Sequence, residues 1–349
     1  MLEQEVMLAG RRLKNPFVYL PMGLGAMTLE QRLAHYEAVA RGGVGLMIME
    51  ATQVSAEPAR RYPVMPGLSA QSMALGLYTD ADEAWLAQVA ERGQAQGAER
   101  GQAQGVVMLV QLAHQGLDEP LTDRLLSDWP AEKMTQIQQA FVQAAQRAQR
   151  AGLAGVELHA GHGLLLSQVL APAVNDRTDR WGGTLEKRAS YVLEIVAGIQ
   201  AACGADFIVG VRLGCNEPTL AASIQTAQLL AQSGVDFLDV SAGLNASVYL
   251  GLERPAEFPY SRKIYGAWQI RQKVSVPVIA VEGIRTAAQA ADILEKQYAD
   301  LIGLGRPLLA DPDWPRKVLA GQTPNPCRGC SRCFWYQDAA RCPARRGQA

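Results

Sequence analysis

Residues 155–188 read GVELHAGHGLLLSQVLAPAVNDRTDRWGGTLEKR. The stretch begins with a short apolar run, passes through a glycine-rich turn, and reaches a helix-like segment from Leu185 onward. A short apolar run, a loop and then an amphipathic helical segment are typical of a strand buried on both faces of a parallel sheet and of the helix that covers it. The stretch therefore predicts one strand–helix unit of an α/β protein.

The same unit recurs along the chain. Eight apolar runs are predicted to be strands, at residues 17–20, 44–49, 106–112, 155–159, 207–213, 235–240, 276–281 and 299–304. Helix-like segments lie between them, at residues 29–41, 135–151, 185–202, 219–233 and 286–296. Eight strands that alternate with helices predict a (β/α)8 TIM barrel. A doubly wound open sheet is the alternative, because periodicity alone does not establish closure of the sheet.

Composition excludes several classes of protein. The chain has 349 residues, of which 48% are hydrophobic and 19% charged, which predicts a large core and excludes a disordered or fibrous protein. With 33 Lys and Arg against 34 Asp and Glu and no basic run, nothing favours a nucleic-acid partner. No G-x-G-x-x-G follows a predicted strand, which argues against a separate dinucleotide-binding domain. The N-terminus lacks the pattern of a secretory signal, and no apolar run approaches the ~18 residues of a membrane span, so we expect a cytoplasmic protein without membrane contact.

One segment is duplicated. Residues 90–97 read AERGQAQG, and residues 98–105 repeat these letters. Eight residues turn a helix by about 80° beyond two full turns, so one copy would misalign a buried face. We expect the extra copy to bulge outward or to lengthen the helix before the third strand, as a tolerated surface insertion.

In a barrel, reactive groups lie at the carboxyl ends of the strands. Polar residues follow six of the predicted strands there: Glu50, Thr52, Gln111, His114, His159, His162, Arg212, Ser241 and Arg306. Three of the four histidines of the chain are in this set. Two imidazoles, at His159 and His162, can hold a carbonyl or phenolate oxygen and stabilise charge on it; a metal pair is the alternative. Arg212 suits an electron-rich ring edge, or an ion pair with a neighbouring carboxylate.

Four of the six cysteines crowd the end of the chain, at Cys327, Cys330, Cys333 and Cys342. A large chain with a good core needs no disulfides, so the cluster is first interpreted as a metal site. A triplet at i, i+3 and i+6 with one further thiolate is typical of a [4Fe–4S] centre. Tetrahedral zinc and an unloaded tail remain alternatives.

The segment quoted first strongly resembles the Old Yellow Enzyme family of FMN-dependent oxidoreductases, the NADH:flavin oxidoreductases. Supporting stretches are NPFVYLPMG at residues 15–23, LVQLAHQG at 109–116 and LIGLGRPLLADP at 301–312. The cysteines narrow the resemblance to the branch with 2,4-dienoyl-CoA reductase and trimethylamine dehydrogenase, where a comparable cluster holds a [4Fe–4S] centre. The resemblance implies an FMN-binding barrel over residues 1–320 and a cysteine-rich tail over residues 321–349. Because the chain stops at Ala349, we expect it to lack the C-terminal FAD and nucleotide domains of that branch.

The resemblance also implies roles for residues at the strand ends. Nine of them would bind FMN: Pro21, Met22, Gly23, Ala51, Gln111, Arg212, Gly283, Gly305 and Arg306. Arg212 would lie beside the N1/O2 edge of the flavin, and the last three residues would bind its phosphate. His159 and His162 would be the catalytic pair that holds the substrate oxygen for hydride transfer to or from flavin N5.

Three positions depart from the family pattern. Leu164 stands where family members carry the tyrosine that donates a proton, so a substitute such as Tyr249 or a water is needed. Gly23 replaces a threonine or cysteine that tunes the flavin. Glu282 precedes Gly283 where two glycines are usual, which brings a carboxylate near the expected phosphate site.

The expected activity is hydride transfer from NAD(P)H through FMN to an unsaturated carbonyl-type small molecule. An amine-type dehydrogenase that passes electrons from FMN to an iron–sulfur centre is one alternative. An electron-transfer flavoprotein subunit is the other. A redox partner protein and a homo-oligomer are both compatible with the sequence.

Overall fold

Each of the eight apolar runs forms a strand in the computed structural model, which describes residues 1–25, 27–57, 75–98, 105–117, 125–244, 252–336 and 338–345. The described strands are β1 (Val6–Leu8), β2 (Arg11–Leu13), β3 (Phe17–Tyr19), β4 (Leu46–Gln53), β5 (Leu75–Gly76), β6 (Val107–Ala113), β7 (Gly155–Ala160), β8 (Ile208–Gly214), β9 (Phe237–Ser241), β10 (Val278–Ala280) and β11 (Leu301–Leu304). The described helices are α1 (Leu29–Arg41), α2 (Asp80–Ala98), α3 (Ala131–Arg150), α4 (Leu165–Leu170), α5 (Leu185–Cys203), α6 (Leu220–Gln232), α7 (Arg262–Arg271), α8 (Ala287–Glu295), α9 (Arg306–Ala310) and α10 (Trp314–Leu319).

Eight parallel strands close into a barrel. Their order around the sheet is β3, β11, β10, β9, β8, β7, β6 and β4, and β3 pairs with β4 to complete the ring. The short strand β5 only extends the far end of β4, where Thr52 pairs with Leu75. The predicted (β/α)8 TIM barrel is confirmed, and the open doubly wound sheet is excluded.

Most element bounds agree with the sequence prediction to within two residues, with two larger differences. Strand β4 runs to Gln53, four residues beyond the predicted end, because its register shifts between Met49 and Thr52 and the chain continues past this irregularity. Helix α3 begins at Ala131 and not at residue 135. Pro130 is its N-cap, and the absence of an N–H on proline costs nothing there, because N–H groups at the start of a helix have no partner within the helix. The first copy of the duplicated segment lies in α2, and all of the second copy except its two end residues lies outside the described residues.

The interior of the barrel is apolar at its amino-terminal end. Leu8 and Leu13 come from the antiparallel hairpin β1–β2, which sequence periodicity does not reveal because each strand has three residues. They join a cluster of inward-facing strand residues, Val18, Leu20, Leu46, Ile48, Leu109, Ile208, Phe237, Ile279, Val281 and Leu301. Gly210 leaves room for the Phe237 ring, since a Cβ built there would lie 2.0 Å from the ring. The hairpin therefore fills this end of the barrel.

A second core lies between the strands and the surrounding helices. Its side chains alternate along each strand with those of the interior, as in Phe17 and Tyr19 of β3. The Phe17 ring meets Trp314 of α10 edge-on, with a centroid distance of 5.1 Å.

Five helices start at a Ser or Thr whose hydroxyl accepts a backbone N–H, namely Thr28, Thr184, Thr219, Ser261 and Thr286. None of the described helices is long and apolar enough to cross a membrane.

The chain beyond residue 320 packs onto the barrel. Trp335 is buried, and its ring lies 5.3 Å from that of His35 in α1. Asp311 accepts hydrogen bonds from Lys317 Nζ at 2.7 Å and from the backbone N–H of Asn325 at 2.8 Å. Arg345 Nε donates to the carbonyl of Leu309 at 2.8 Å. The tail is therefore tied to α1 and to the segment that follows β11.

Candidate active site

Polar side chains from four adjacent strands form the carboxyl-terminal mouth of the barrel. They are Gln111 of β6, His159 of β7, Arg212 of β8 and Ser241 of β9. The register sets His159 opposite Arg212. Because inward-facing positions alternate along a strand, each of these residues lies on the interior face of its own strand, at the end near the mouth.

The two predicted catalytic histidines lie together at this mouth. The rings of His159 and His162 are 5.0 Å apart and nearly perpendicular, at 83°. His162 Nε2 lies 2.8 Å from Ser241 Oγ. His162 has a left-handed backbone, with φ at 57°, and its N–H donates to the carbonyl of Ala242 at 3.0 Å. Such a conformation is uncommon outside glycine and is maintained here by the surrounding contacts.

Both histidines are neutral near pH 7. Burial lowers the pKa of His159 well below its usual value, and His162 and Arg212 add to the effect. Burial likewise lowers the pKa of His162, with further contributions from Arg212 and Lys263. The backbone N–H of Gly161 lies 3.4 Å from His159 Nδ1, which assigns the ring proton to Nε2. Each neutral ring therefore has one N–H donor and one acceptor nitrogen.

Arg212 lies beside the pair and has a carboxylate partner. Its Nη2 is 3.4 Å from Ser241 Oγ, and its Nε is 3.4 Å from Asp239 Oδ2. The ion pair that the sequence left as an alternative is therefore present. It is compatible with a role at a ring edge, because the guanidinium has five N–H donors.

Two buried carboxyl groups in this region were missed in the sequence. Glu157 and Asp239 are fully buried, and Glu157 Oε1 accepts a hydrogen bond from Gln111 Nε2 at 2.6 Å. Each stands two residues before a polar mouth residue on the same strand, His159 and Ser241. The available signal was a charged residue within an apolar strand. Such a residue indicates a buried carboxyl group only when the sheet is known to close into a barrel.

A buried ion pair shapes the loop that follows β3. Arg32 of α1 pairs with Glu50 of β4, and both side chains are almost completely buried. Glu50 Oε2 accepts the backbone N–H of Leu24 at 3.1 Å, and Arg32 Nη2 donates to the carbonyl of Gly25 at 3.0 Å. Glu50 is therefore turned toward α1 and not toward the mouth. Removal of one partner from such a pair typically costs about 3–5 kcal/mol.

The predicted flavin-contact residues of the first two barrel strands lie near this loop. Pro21 and Met22 are half-buried, and Gly23 is exposed with open space beside it. Met22 Sδ lies 2.8 Å from the position that a Cβ on Gly305 would occupy, so the ends of β3 and β11 meet. Ala51 is half-buried at the irregularity of β4.

The predicted phosphate-binding residues follow β10 and β11. Gly283 has φ at +81°, and a Cβ there would meet nothing within 4 Å, which leaves the backbone accessible to a ligand. Gly305 precedes Arg306, the first residue of α9. Glu282 Oε1 pairs with Lys263 Nζ at 2.8 Å, so its carboxylate is directed to α7. The carboxylate that Glu282 brings near the expected phosphate site is therefore paired with an ammonium group.

The position of the missing tyrosine is apolar and closed. Leu164 is buried and precedes α4, where it has no group that can donate a proton. Tyr249, which the sequence suggested as a substitute, lies outside the described residues. A nearby carboxyl group is Glu217, whose Oε2 accepts hydrogen bonds from Ser167 Oγ at 2.7 Å and from the backbone N–H of Leu244. Burial raises the pKa of Glu217 to about 7.

The four tail cysteines line one pocket. Cys327, Cys330, Cys333 and Cys342 share it with Arg306, Arg328, Leu309, Ala310, Phe334, Trp335 and Pro343. Burial raises the pKa of the Cys333 thiol, and the neighbouring thiols of Cys342 and Cys327 raise it further. Among the described residues, no three Cys, His, Asp or Glu side chains are close enough, as they stand, to bind one metal ion. Arg306 connects this pocket to the end of β11.

Comparison with known proteins assigns the class and then the family. The barrel is that of the FMN-dependent oxidoreductases, as the resemblance implied. The chain belongs to the NADH:flavin oxidoreductase / NADH oxidase family, whose model matches residues 8–325. An NADH oxidase of Thermoanaerobacter brockii is 34% identical, over 92% of this chain and 51% of that protein. An NADPH dehydrogenase of Halalkalibacterium halodurans is 30% identical, over 88% of this chain and 91% of that protein.

Solved structures agree with the fold. A 2-naphthoyl-CoA reductase superposes with a TM-score of 0.79 at 20% identity, over 97% of this chain and 55% of that one. Morphinone reductase superposes with a TM-score of 0.72 at 25% identity, over 97% and 96% of the two chains. The chain spans about half the length of two of the curated relatives that it matches, 51% of the NADH oxidase and 49% of a metal reductase of Desulforamulus reducens.

The buried carboxyl group of Glu217 predicts a pH-dependent stability. Its pKa of about 7 in the folded state exceeds the ordinary value of 4.5, so the folded protein binds this proton more tightly than the unfolded chain. The resulting stabilisation is complete below pH 4.5 and is lost as the pH rises through about 7, for a total of about 3 kcal/mol. Urea unfolding at about pH 5 and about pH 8 should therefore show a smaller loss of stability in Glu217→Gln than in the unsubstituted protein.

The control is Glu5→Gln, which removes an exposed carboxylate. It should keep the pH dependence of the unsubstituted protein. Equal pH dependence in Glu217→Gln and Glu5→Gln would contradict the prediction.

Proposed function

We propose that the protein is an FMN-dependent oxidoreductase that takes hydride from NADH or NADPH and reduces an unsaturated carbonyl-type small molecule. The observation that carries the proposal is the neutral, nearly perpendicular pair of His159 and His162 beside Arg212 at the barrel mouth. Family membership supports the flavin, and the names of the relatives, NADH oxidase and NADPH dehydrogenase, support a nicotinamide donor.

The residues present fit FMN. The open backbone at Gly283, and Gly305 with Arg306 after β11, would hold the phosphate. Gln111 donates its Nε2–H to Glu157, which leaves its carbonyl oxygen to accept from a pyrimidine N–H. Arg212 would stabilise negative charge at the ring edge. Pro21, Met22, Gly23 and Ala51 would border the ring. When bound, FMN supplies an acceptor and donor of hydride.

The histidine pair would bind and orient the substrate. The Nε2–H of His159 and a ring nitrogen of His162 would hold the substrate oxygen, and their donors polarise a conjugated carbonyl. Because both rings are neutral, each has one N–H that can donate to that oxygen and one nitrogen that accepts a hydrogen bond. Ser241, which contacts both His162 and Arg212, would keep the pair in its orientation.

An anaerobic absorption titration tests the function. NADH or NADPH should bleach the oxidised-flavin bands, and 2-cyclohexen-1-one should restore them. His162→Ala should raise the KM for the enone by at least about tenfold, since a hydrogen bond to a developing charge is lost. Reoxidation by ferricyanide, which does not need the histidine pair, is the control and should be unchanged. Absence of flavin, or flavin that nicotinamide leaves oxidised, would overturn the proposal.

The apolar side chain at Leu164 predicts slow proton delivery to the substrate carbon. Leu164→Tyr should increase enone turnover, up to the ~10²–10⁴-fold that a positioned acid supplies. Leu164→Phe is the matched control, because it adds the ring without the hydroxyl. Steady-state turnover with saturating nicotinamide gives the ratio of the two variants. Equal rates would contradict the prediction and place the proton source elsewhere.

We also propose that the tail pocket holds a [4Fe–4S] cluster that exchanges single electrons with a redox partner protein. Four thiols that line one pocket without a carboxylate or histidine are a donor set that fits such a cluster. Arg306 and Arg328 in the same pocket lining would offset its negative charge. Zinc, the other ion that four thiolates suit, is an outcome of the test.

Anaerobic reconstitution with iron and sulfide checks the cluster. A broad absorption band beyond the flavin bands and an electron paramagnetic resonance signal on reduction should appear, with about four iron atoms per chain. Cys333→Ser should abolish both signals, and Cys203→Ser, at an isolated cysteine in α5, should keep them. Zinc without iron, or equal signals in the two variants, would contradict the assignment.

Three further expectations remain predictions. One is the division into an FMN-binding barrel over residues 1–320 and a cysteine-rich tail over residues 321–349. A cytoplasmic location fits a reaction that consumes NADH or NADPH. The third is assembly into a homo-oligomer.

A further inference from the structure

Glu157 and Asp239 lie inside the barrel, one layer below the mouth. Neither residue has exposed surface. Glu157 Oε2 and both carboxyl oxygens of Asp239 are buried and have no hydrogen-bond partner among the described residues. Buried polar atoms are rarely left unpaired, and an unpaired buried charge is costly, so this arrangement needs an explanation.

The groups that face the two carboxyls supply too little positive charge for both to ionise. The guanidinium of Arg212 at the mouth reaches this layer, and its Nε is 3.4 Å from Asp239 Oδ2. Lys263 of α7 also acts on Asp239, although its ammonium is paired with Glu282. The other polar neighbours are neutral: the Gln111 amide, the His159 and His162 rings, and the Ser241 hydroxyl.

The contacts distinguish the two carboxyls. Asp239 faces the guanidinium, which favours its ionised form. Among the described residues, the hydrogen-bond donor to Glu157 is the neutral amide of Gln111, at 2.6 Å. Burial and the charge of Asp239 raise the pKa of Glu157 well above its usual value, with Arg212 opposing. Burial also raises the pKa of Asp239, but Arg212 and Lys263 both lower it. With the proton on Oε2, Glu157 keeps Oε1 as the acceptor for Gln111.

We propose that Glu157 and Asp239 act as one unit with a single proton, which stays on Glu157 while Asp239 carries the negative charge that faces Arg212. Both are positioning residues. Glu157 accepts the N–H of Gln111, so the carbonyl oxygen of that amide points to the mouth. Asp239 partly neutralises the positive charge that Arg212 places at the mouth. The effect of this buried charge on the midpoint potential of a bound flavin rests on the proposed function.

The flavin midpoint potential tests the charge assignment. Asp239→Asn removes a buried negative charge, so reduced flavin is stabilised and the potential should become more positive. Glu157→Gln exchanges one neutral group for another and should leave the potential nearly unchanged. Asp236→Asn, a half-buried carboxylate just before the start of β9, is the matched control and should leave it unchanged as well. An equal rise in Glu157→Gln and Asp239→Asn, a rise in Glu157→Gln alone, or no shift in either would overturn the proposal.

Infrared spectra of the flavin-free protein test the proton itself. At a pH well above 7, where Glu217 is ionised, the band of a buried protonated carboxyl should be present. It should disappear in Glu157→Gln and persist in Asp236→Asn, which leaves Asp239 and Arg212 in place. A band that Glu157→Gln retains would place the proton elsewhere and overturn the assignment. Because this readout needs no flavin, failure of the proposed function leaves it intact, so the two failures are distinguishable.

Discussion

The pairing of β3 with both β11 and β4 is the interaction on which the rest of the structure depends. It joins the first barrel strand to the last, and the sheet then has an inside and an outside. The loops after β3 and β11 meet through Met22 and Gly305, although they are about 280 residues apart in the chain. The tail that follows β11 consequently reaches α1, where Trp335 packs against His35.

Closure also separates the chemistry of the interior along the barrel axis. Inward positions are apolar near the hairpin and polar near the mouth, because two residues of a strand separate one layer from the next. On β9, for example, Phe237 belongs to the apolar cluster, and Asp239, two residues later, is a carboxylate that faces Arg212. Glu157 and Asp239 have no exposed surface, so the electrostatic interactions in the polar layer are stronger than they would be at the surface of the protein.

Much of this could be predicted from the sequence. The eight strands could be recognised because strands buried on both faces are continuous apolar runs, and His159 and His162 because reactive groups lie at strand ends. Glu157 and Asp239 could not, since a single charged residue in a strand is usually on an exposed face. The spacing of the cysteines indicated a common site, but that Arg306 lines the same pocket is a property of the folded chain. The direction of the Glu282 carboxylate likewise depends on Lys263, which lies nineteen residues earlier on another element.

The hairpin β1–β2 has a consequence for the movement of protons. Leu8 and Leu13 fill the end of the barrel opposite the mouth, so protons exchange between the buried acidic layer and bulk water through the mouth. A ring that covers the mouth would then separate this layer from bulk water for as long as it stays. The charge beneath the ring would be fixed when the complex assembles, and a change in the pH of the medium would act on it only after the mouth had opened again.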